Sequence, residues 1–417
     1  MNINKLFVFA DFDWFEEPLY MGILFQDFLR GSSKYSFEFS KEWLNKYRSI
    51  TLSADLNNYS GRQYVQSPLE FFACFSDCLP DRWGRLLLTR REQIQAEREA
   101  RPMRQLSSFD YLLGIEDQTR LGGFRFKTSL DSNFLNIDDA LPIPPITSIR
   151  ELAYAASQVE HSEKNKQLPE ERWINQLVEP GSSLGGARPK ASVQDADGSL
   201  WIAKFPSVND LIDVGAWEHF AYTLAAKAHI EVAPSKIIPC GRHHIFLVKR
   251  FDRNESKRVH FASAMTLLGL KDGDGAASGY GYLDIAEKII QLCPNTEVNL
   301  ESLFRRVAFN ICIGNCDDHF RNHGFLLSND GWDLSPAYDL NPSLNRSQSL
   351  LITENSNESN LKLLLGASEN YFLSGTKAQT IIEEVLCSMD GWEQEALKLG
   401  LSINEINMFS SRFSTSI

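Results

Sequence analysis

Nowhere in the 417 residues is there an uninterrupted apolar run near the roughly 18 residues that a membrane-spanning helix requires. A helical membrane protein is therefore not expected. The opening Met1-Asn-Ile-Asn-Lys-Leu-Phe-Val-Phe-Ala10 meets Asp11 before it can build the apolar core of a signal peptide, so export is not expected either. Cysteine is sparse: there are seven, an odd number, and no Cys-x-x-Cys pair. That excludes a disulfide framework and fits reduced thiols in a cytoplasm. Internal repeats and low-complexity segments are also missing. Positive charge is in the minority, 42 Lys and Arg against 54 Asp and Glu, for a formal charge of −12. Such a chain does not coat nucleic acid by itself, although a basic partner or a local basic patch is compatible with it. What remains is ordinary for a globular chain: 43% hydrophobic and 23% charged residues rule out disorder. The length alone predicts roughly two to four domains.

Residues 1–140 read as an α/β domain. Leu6-Phe-Val-Phe-Ala-Asp-Phe12 alternates as a strand does, Ser36-Phe-Glu-Phe39 follows a turn region, and Leu121-Gly-Gly-Phe-Arg-Phe126 closes the segment. Between them, Asp81–Arg104 reads as a long helix holding seven arginines against three glutamates. It is either a solvated face laced with ion pairs or a docking surface for an acidic partner. The boundary is Leu141-Pro-Ile-Pro-Pro-Ile146, too rich in proline for a helix or a central strand. Ser148-Ile-Arg-Glu151 then has the pattern of a capping box opening a helix. Residues 141–252 form a small lobe, with one hairpin around Asp195-Ala-Asp-Gly198, a helix over 214–230, and a second hairpin around residues 241–244. Residues 253–417 are mainly helical, including a helix ending at Gly314 whose apolar residues 300, 303, 304, 307, 308 and 311 form one stripe. Two more helical stretches are expected over 373–417. The plan is α+β and bilobal, and nucleotides usually bind in the cleft of such a plan. Cys74/Cys78 and Cys312/Cys316 fall four apart in apolar helical contexts and read as buried small hydrophobes.

The densest chemistry lies in Gly314-Asn-Cys-Asp-Asp-His-Phe-Arg-Asn-His323. Asp317 and Asn322 stand in the spacing D-x4-N of the protein-kinase catalytic loop, where Asp takes the hydroxyl proton and Asn holds magnesium. A hairpin turning at Asn329-Asp-Gly331 then leads to Ala337-Tyr-Asp339. A hairpin joins its own ends, so Asp339 should return beside Asn322 and add a second hard oxygen ligand for Mg2+. Upstream, Gly181-Ser-Ser-Leu-Gly-Gly-Ala-Arg-Pro-Lys190 offers backbone N–H groups to phosphate oxygens, although it is neither a Walker A loop nor the kinase G-x-G-x-x-G. Lys204 on the following strand is placed to contact phosphates and to pair with Glu218 on the next helix. Two other readings stay open. Asp317, Asp318, His319 and His323 could serve a metal-dependent hydrolase, with the two histidines on one helical face. The chain could also be an inactive kinase-like binding module.

Gly185-Gly-Ala-Arg-Pro-Lys190, Ile202-Ala-Lys-Phe-Pro206, Val248-Lys-Arg-Phe-Asp-Arg253, Asn315-Cys-Asp-Asp-His-Phe-Arg-Asn322 and Tyr338-Asp339 resemble the HipA-like serine/threonine kinase family. Phe71…Phe75-Ser-Asp77…Leu79-Pro-Asp-Arg-Trp-Gly-Arg85 extends the likeness to the amino-terminal third. The resemblance implies an atypical protein-kinase fold, distantly like phosphatidylinositol kinases, with an added N-terminal α/β domain. It implies ATP and Mg2+ as cofactors, Asp317 as catalytic base, and Asn322 and Asp339 as metal ligands. Gly185, Gly186, Ala187, Arg188, Pro189, Lys190, Lys204, His319 and Tyr338 would surround the ATP phosphates. Val248 to Phe251, with Lys249, Arg250 and Phe251, would be the hinge for adenine. Autophosphorylation at Ser183, or its neighbour Ser182, would switch the enzyme off by adding charge beside the phosphates. The implied setting is a cytoplasmic bacterial toxin–antitoxin module. There the toxin is restrained by a small DNA-binding antitoxin and touches nucleic acid only through that partner. Its substrate is a protein, the best-known one being an aminoacyl-tRNA synthetase. The role of Asp318 beside the catalytic position is not implied by the family.

Overall fold

The computed structural model describes residues 4–29, 31–135, 143–178, 186 and 188–413. They gather into two units, Met1–Asn209 with Lys249–Ala262, and Asp210–Val248 with Ser263–Ile417. The described part of the proline-rich segment, 143–146, falls inside the first unit. There the Pro144 carbonyl accepts the Gln194 N–H at 2.9 Å.

In the first unit, β1 (Lys5–Ala10), β2 (Leu19–Leu29), β3 (Ser32–Phe39), β4 (Arg62–Tyr64) and β5 (Phe124–Lys127) form one antiparallel sheet in the order β4-β3-β2-β1-β5. The alternation read in the sequence is real: Leu6, Val8 and Ala10 are buried, while Lys5 is exposed. The 121–126 segment closes the sheet as expected, with Val8 opposite Phe126. Helices α1 (Lys41–Tyr47), α2 (Ala73–Ser76), α3 (Arg82–Arg98) and α4 (Ser108–Gly114) accompany it. Phe75 of α2 is fully buried, with its ring 5.4 Å from Phe37, 5.3 Å from Phe124 and 6.0 Å from Phe126. Ion pairs engage the arginine-rich stretch: Arg101 meets Glu92 at 2.6 Å, Arg104 meets Glu92 and Asp110, and Arg90 meets Glu163. Hydrogen bonding from Arg101 is the main reason the Glu92 carboxyl is held down at about 2.

Helices α5 (Ile149–Lys164) and α6 (Glu171–Val178) follow, then the expected hairpin of β6 (Lys190–Gln194) and β7 (Leu200–Lys204). The capping box expected at Ser148 does not form. Ile146–Ser148 is a 3₁₀ turn running into α5, and Ser148 sits at φ −85°, ψ 4°. An N-cap hydroxyl needs an extended backbone to fold back onto the third helical N–H, and that conformation is not available to a residue already turning.

The second unit holds α7 (Val214–Lys227), the hairpin β8 (Ser235–Cys240) and β9 (His243–Lys249), α8 (Ala264–Leu268), α9 (Tyr282–Leu292) and α10 (Thr296–Ile313). A hairpin of Gly324–Ser328 with Gly331–Leu334 follows, and then α11 (Leu361–Gly366) and α12 (Gly375–Ser388). Two short helices end the unit, α13 (Trp392–Lys398) and α14 (Ile403–Phe409), so 373–409 holds three helices where two were expected. Helix α10 differs from its sequence reading. Every residue from Leu303 to Ile313 is buried, including Arg305, Arg306 and Asn310, so this part of the helix is enclosed on all sides and not along the apolar stripe alone. Its polar residues are tolerated because each finds a partner: Arg305 meets Glu384 at 2.6 Å, and Arg306 donates to the Ser335 carbonyl at 2.6 Å. None of the seven cysteines is in a disulfide, and Cys74, Cys78, Cys312 and Cys316 are buried. Among the described residues, no helix is long and apolar enough to cross a membrane.

Because Phe75 packs against rings from two strands, Phe37 of β3 and Phe124 and Phe126 of β5, Phe75→Ala should destabilise the protein by about 3–5 kcal/mol. The check is a shift of the urea midpoint at an unchanged m-value, followed by near-ultraviolet circular dichroism.

Candidate active site

Helix α10 stops at Gly314, which adopts φ +67°. A Cβ there would lie 3.1 Å from the Ser343 carbonyl, so glycine serves both the left-handed backbone and the close approach. The chain then enters Asn315–His319 and a 3₁₀ turn over Phe320–Asn322. Ser343 donates from both its N–H and its hydroxyl to the Gly314 carbonyl at 3.0 Å, and Ser349 does the same to the Cys316 carbonyl. The loop is thus stitched to a distant part of the same unit.

The two adjacent aspartates have opposite surroundings. Asp317 is exposed, whereas Asp318 is 3% exposed. One oxygen of Asp318 accepts from the Tyr282 hydroxyl at 2.8 Å, from Asn310 Nδ2 at 2.7 Å and from His323 Nε2 at 2.8 Å. Burial by itself would raise its pKa, but His323 and the Tyr282 hydroxyl reverse this and hold the carboxyl below its usual range. The Tyr282 hydroxyl is pushed well above its usual value, by burial first and then by Asp318. Asn315 continues the network by donating to Asn310 Oδ1 at 3.1 Å. Asp318 therefore ties α9, α10 and the loop together.

Around this hub the expected residues are ordered. Asn322 donates its amide N–H to the Asp317 carbonyl at 3.2 Å, and its backbone N–H goes to the His319 carbonyl at 2.7 Å. After the hairpin, Tyr338 donates to the Arg321 carbonyl at 2.6 Å, which ties the residue before Asp339 to the residue before Asn322. Asp339 is half-buried at φ +58°, a backbone region that L-residues seldom adopt, and it accepts from Asn341 Nδ2 at 3.2 Å. Tyr222 on α7 is buried, and its hydroxyl is pushed well up by burial first and then by Glu218 and Asp339. Glu218 and Asp339 thus act on one tyrosine. Glu218 sits on a helix capped by Asp213, whose carboxylate accepts the Ala216 N–H and also meets His244 Nδ1. His319 and His323 flank the turn and do not share a helical face, and His323 is committed to Asp318. Among the described residues, no group of three or more His, Cys, Asp or Glu side chains is arranged to hold a metal ion.

In the first unit, Lys204 ends β7, half-buried and in register with Lys190 across the hairpin. Of the glycine-rich loop, Ser182, Ser183, Gly185 and Ala187 lie outside the described residues. Gly186 has φ +108°, Arg188 is half-buried, and Pro189 and Lys190 are buried. Two residues expected at the nucleotide have buried ion-pair partners. Lys190 is paired with Asp81 at 2.5 Å, and both side chains are almost fully buried. Arg250, 3% exposed, is clamped to Asp252 and donates to the Thr119 carbonyl at 2.6 Å. Their guanidinium and ammonium groups are anchors, because a buried cation settles on its nearest carboxylate. Lys249 and Phe251 beside them are half-buried. Tyr282, Asp81 and Asp252 are not legible as site residues, since each meets a partner across a long separation in sequence, and Asn310 is hidden inside an apolar helical stretch. Asp81, directly before a helix in Leu79-Pro-Asp-Arg82, did carry an N-cap signal.

The paired aspartates make a sharp stability prediction. Asp318→Ala leaves three buried donors without an acceptor and should cost about 3 kcal/mol or more. Asp317→Ala, at an exposed position, should stay within about 0.5 kcal/mol of wild type. Urea midpoints of the two variants decide it.

Comparison with known proteins places this arrangement. The fold matches a chain of the solved Shewanella oneidensis MR-1 complex of HipA, HipB and operator DNA, with a TM-score of 0.64 over 98% of this chain and 95% of that one, at 15% identity. The serine/threonine-protein kinase toxin HipA of Shewanella oneidensis is 26% identical over 224 residues, 47% of this chain and 50% of that protein. The chain spans about half the length of the curated relatives it matches, 41% and 58% for two others. The model of the HipA N-terminal domain matches residues 19–109, and that of the HipA-like C-terminal domain matches residues 182–392, half of the chain. With the fold of that HipA chain and both family domains in place, the chain belongs to the HipA family.

Proposed function

We propose that the protein is an ATP- and magnesium-dependent serine/threonine protein kinase of the HipA type. The observation that carries this reading is the contrast within Asp317-Asp318: one carboxylate exposed, the next buried and held by three donors. A catalytic base must reach an acceptor hydroxyl while its backbone stays still, and this pair meets both requirements. The donor set suits the cation. The Asn322 amide nitrogen is bonded to the Asp317 carbonyl, which leaves Oδ1 to offer, and Asp339 adds a carboxylate. Both are hard oxygen donors of the kind magnesium takes.

ATP with magnesium would supply the γ-phosphoryl group. Asp317 accepts the proton of a serine or threonine hydroxyl as that oxygen bonds to phosphorus and the bond to the bridging oxygen breaks, releasing ADP. Lys204 neutralises phosphate charge, with Glu218 as the carboxylate that orients it. The Gly185–Lys190 loop and His319 belong with the phosphates, and the backbone of Lys249 to Phe251 with adenine. Tyr338 holds the segment that carries Asp339. Ser183 or Ser182 is the site of self-phosphorylation and inactivation. The acceptor is a protein, with an aminoacyl-tRNA synthetase the first to try. A small DNA-binding antitoxin of the HipB type is the partner, and the setting is cytoplasmic.

Intact mass after incubation with ATP and magnesium tests the reading. Wild type should gain one phosphate, mapped to Ser182 or Ser183, and Asp317→Gln should gain none. Wild type that stays unmodified and binds no ATP would overturn it in favour of a binding module. In a parallel titration, Asp339→Asn should lose the magnesium-dependent part of ATP binding. Chelating the magnesium should reproduce that loss in wild type.

A further inference from the structure

Two segments that the proposed function assigns to the nucleotide are held at described residues by buried carboxylates, Asp81 far away in sequence and Asp252 immediately after the segment it holds. The first is the glycine-rich loop. Lys190 Nζ lies 2.5 Å from Asp81 Oδ2 and 3.3 Å from the Gly186 carbonyl. The other oxygen of Asp81 accepts the Gly84 N–H at 2.8 Å, as the N-cap of α3. One carboxylate thus starts an N-terminal helix and, through Lys190, fixes the end of the loop.

The second is the stretch after β9. Asp252, 1% exposed, takes both Nε and Nη2 of Arg250, at 2.8 and 2.6 Å, and the Gly122 N–H at 2.8 Å. Arg250 in turn donates to the Thr119 and Arg120 carbonyls. Further along, Arg258 Nη2 meets the fully buried Asp117 at 2.9 Å. The His260 ring stacks on Phe12 at 4.8 Å and lies 4.3 Å from Phe124. Residues 249–262 accordingly belong to the same unit as the N-terminal sheet. Buried ion pairs of this kind contribute little net stability compared with apolar packing, but they are directional. What they secure is the path of the backbone.

We propose that Asp81 and Asp252 are positioning residues for the nucleotide, Asp81 through Lys190 at the described end of the glycine-rich loop and Asp252 through Arg250 in the adenine-facing segment. The inference rests on the kinase reading above. Neither carboxylate need touch ATP. Each acts through a cation, Lys190 or Arg250, whose backbone continues into the nucleotide-facing residues.

The test compares Asp81→Asn and Asp252→Asn with wild type, using Glu92→Gln as a control that loses an ion pair on the same helix α3. Asparagine caps a helix as well as aspartate does, so Asp81→Asn removes the charge while keeping the helix start. ATP affinity by equilibrium titration should fall about tenfold or more in both variants, the order expected when a binding segment is misplaced. The KM for ATP should rise while kcat at saturating ATP changes less, and Glu92→Gln should match wild type in both. Amide exchange should accelerate in 188–194 for Asp81→Asn and in 249–261 for Asp252→Asn. Folded variants with wild-type affinity and exchange would overturn the proposal. If either asparagine variant fails to fold, Asp81→Glu and Asp252→Glu keep the charge with a displaced carboxylate. They should still lose affinity, and wild-type binding by them is equally fatal. If wild type binds no ATP, the kinase reading falls, and the exchange rates alone then decide whether these carboxylates hold the two segments.

Discussion

A carboxylate removed from water persists as an anion only where donors replace its hydration, and Asp318 meets that demand with Tyr282, Asn310 and His323. The demand reaches well beyond the side chain. Tyr282 comes from α9, Asn310 from α10, and His323 from the far end of the turn, so two helices and a loop are committed to one point. The turn that results exposes Asp317 beside a buried neighbour held by three donors. Its neighbours are placed by the same geometry, since Asn322 is bonded to the Asp317 carbonyl and Tyr338 to the Arg321 carbonyl. Strain also collects here: Asp339 is held at φ +58° next to the hub.

The first unit follows the same rule with a different residue set. Asp81, Asp117 and Asp252 are buried, and each meets a basic side chain, Lys190, Arg258 and Arg250 respectively. Isolated, any of these charges would be costly; in pairs they fix where backbone segments run. The consequence is that residues 249–262 belong with the N-terminal sheet, although more than a hundred residues separate them from Phe124 in sequence. The N-terminal domain of this family member is therefore part of how the later segments are shaped.

Local signals were read well where the answer was local. The alternation in β1, the turns at Asp195–Ser199 and Asn329–Gly331, and the helix stop at Gly314 all depend on residues within a few positions of one another. Ser148 shows the limit of such reading. Its capping pattern is intact, yet a 3₁₀ turn ahead of α5 denies the hydroxyl its extended backbone. Helix α10 shows another. Its apolar stripe is present, but burial on every side depends on what packs around Arg305, Arg306 and Asn310, which periodicity does not encode.

The sequence alone determines the order of the candidate residues, a glycine-rich loop, a strand lysine, a helix glutamate, the Asp317–Asn322 spacing and a late aspartate, together with the family they resemble. Within the second unit, spacing carries part of that information because Asn322 is bonded to the Asp317 carbonyl and Tyr338 to the Arg321 carbonyl. The division of labour was decided only by the tertiary structure. Asp317 and Asp318 are identical residues at adjacent positions, and Lys190 and Arg250 read from the sequence as nucleotide contacts. Burial and distant partners separate them: Asp318, Lys190 and Arg250 each find a counterpart out of water, while Asp317 does not leave the solvent. A group's role follows from its solvation, and solvation is a property of the folded chain.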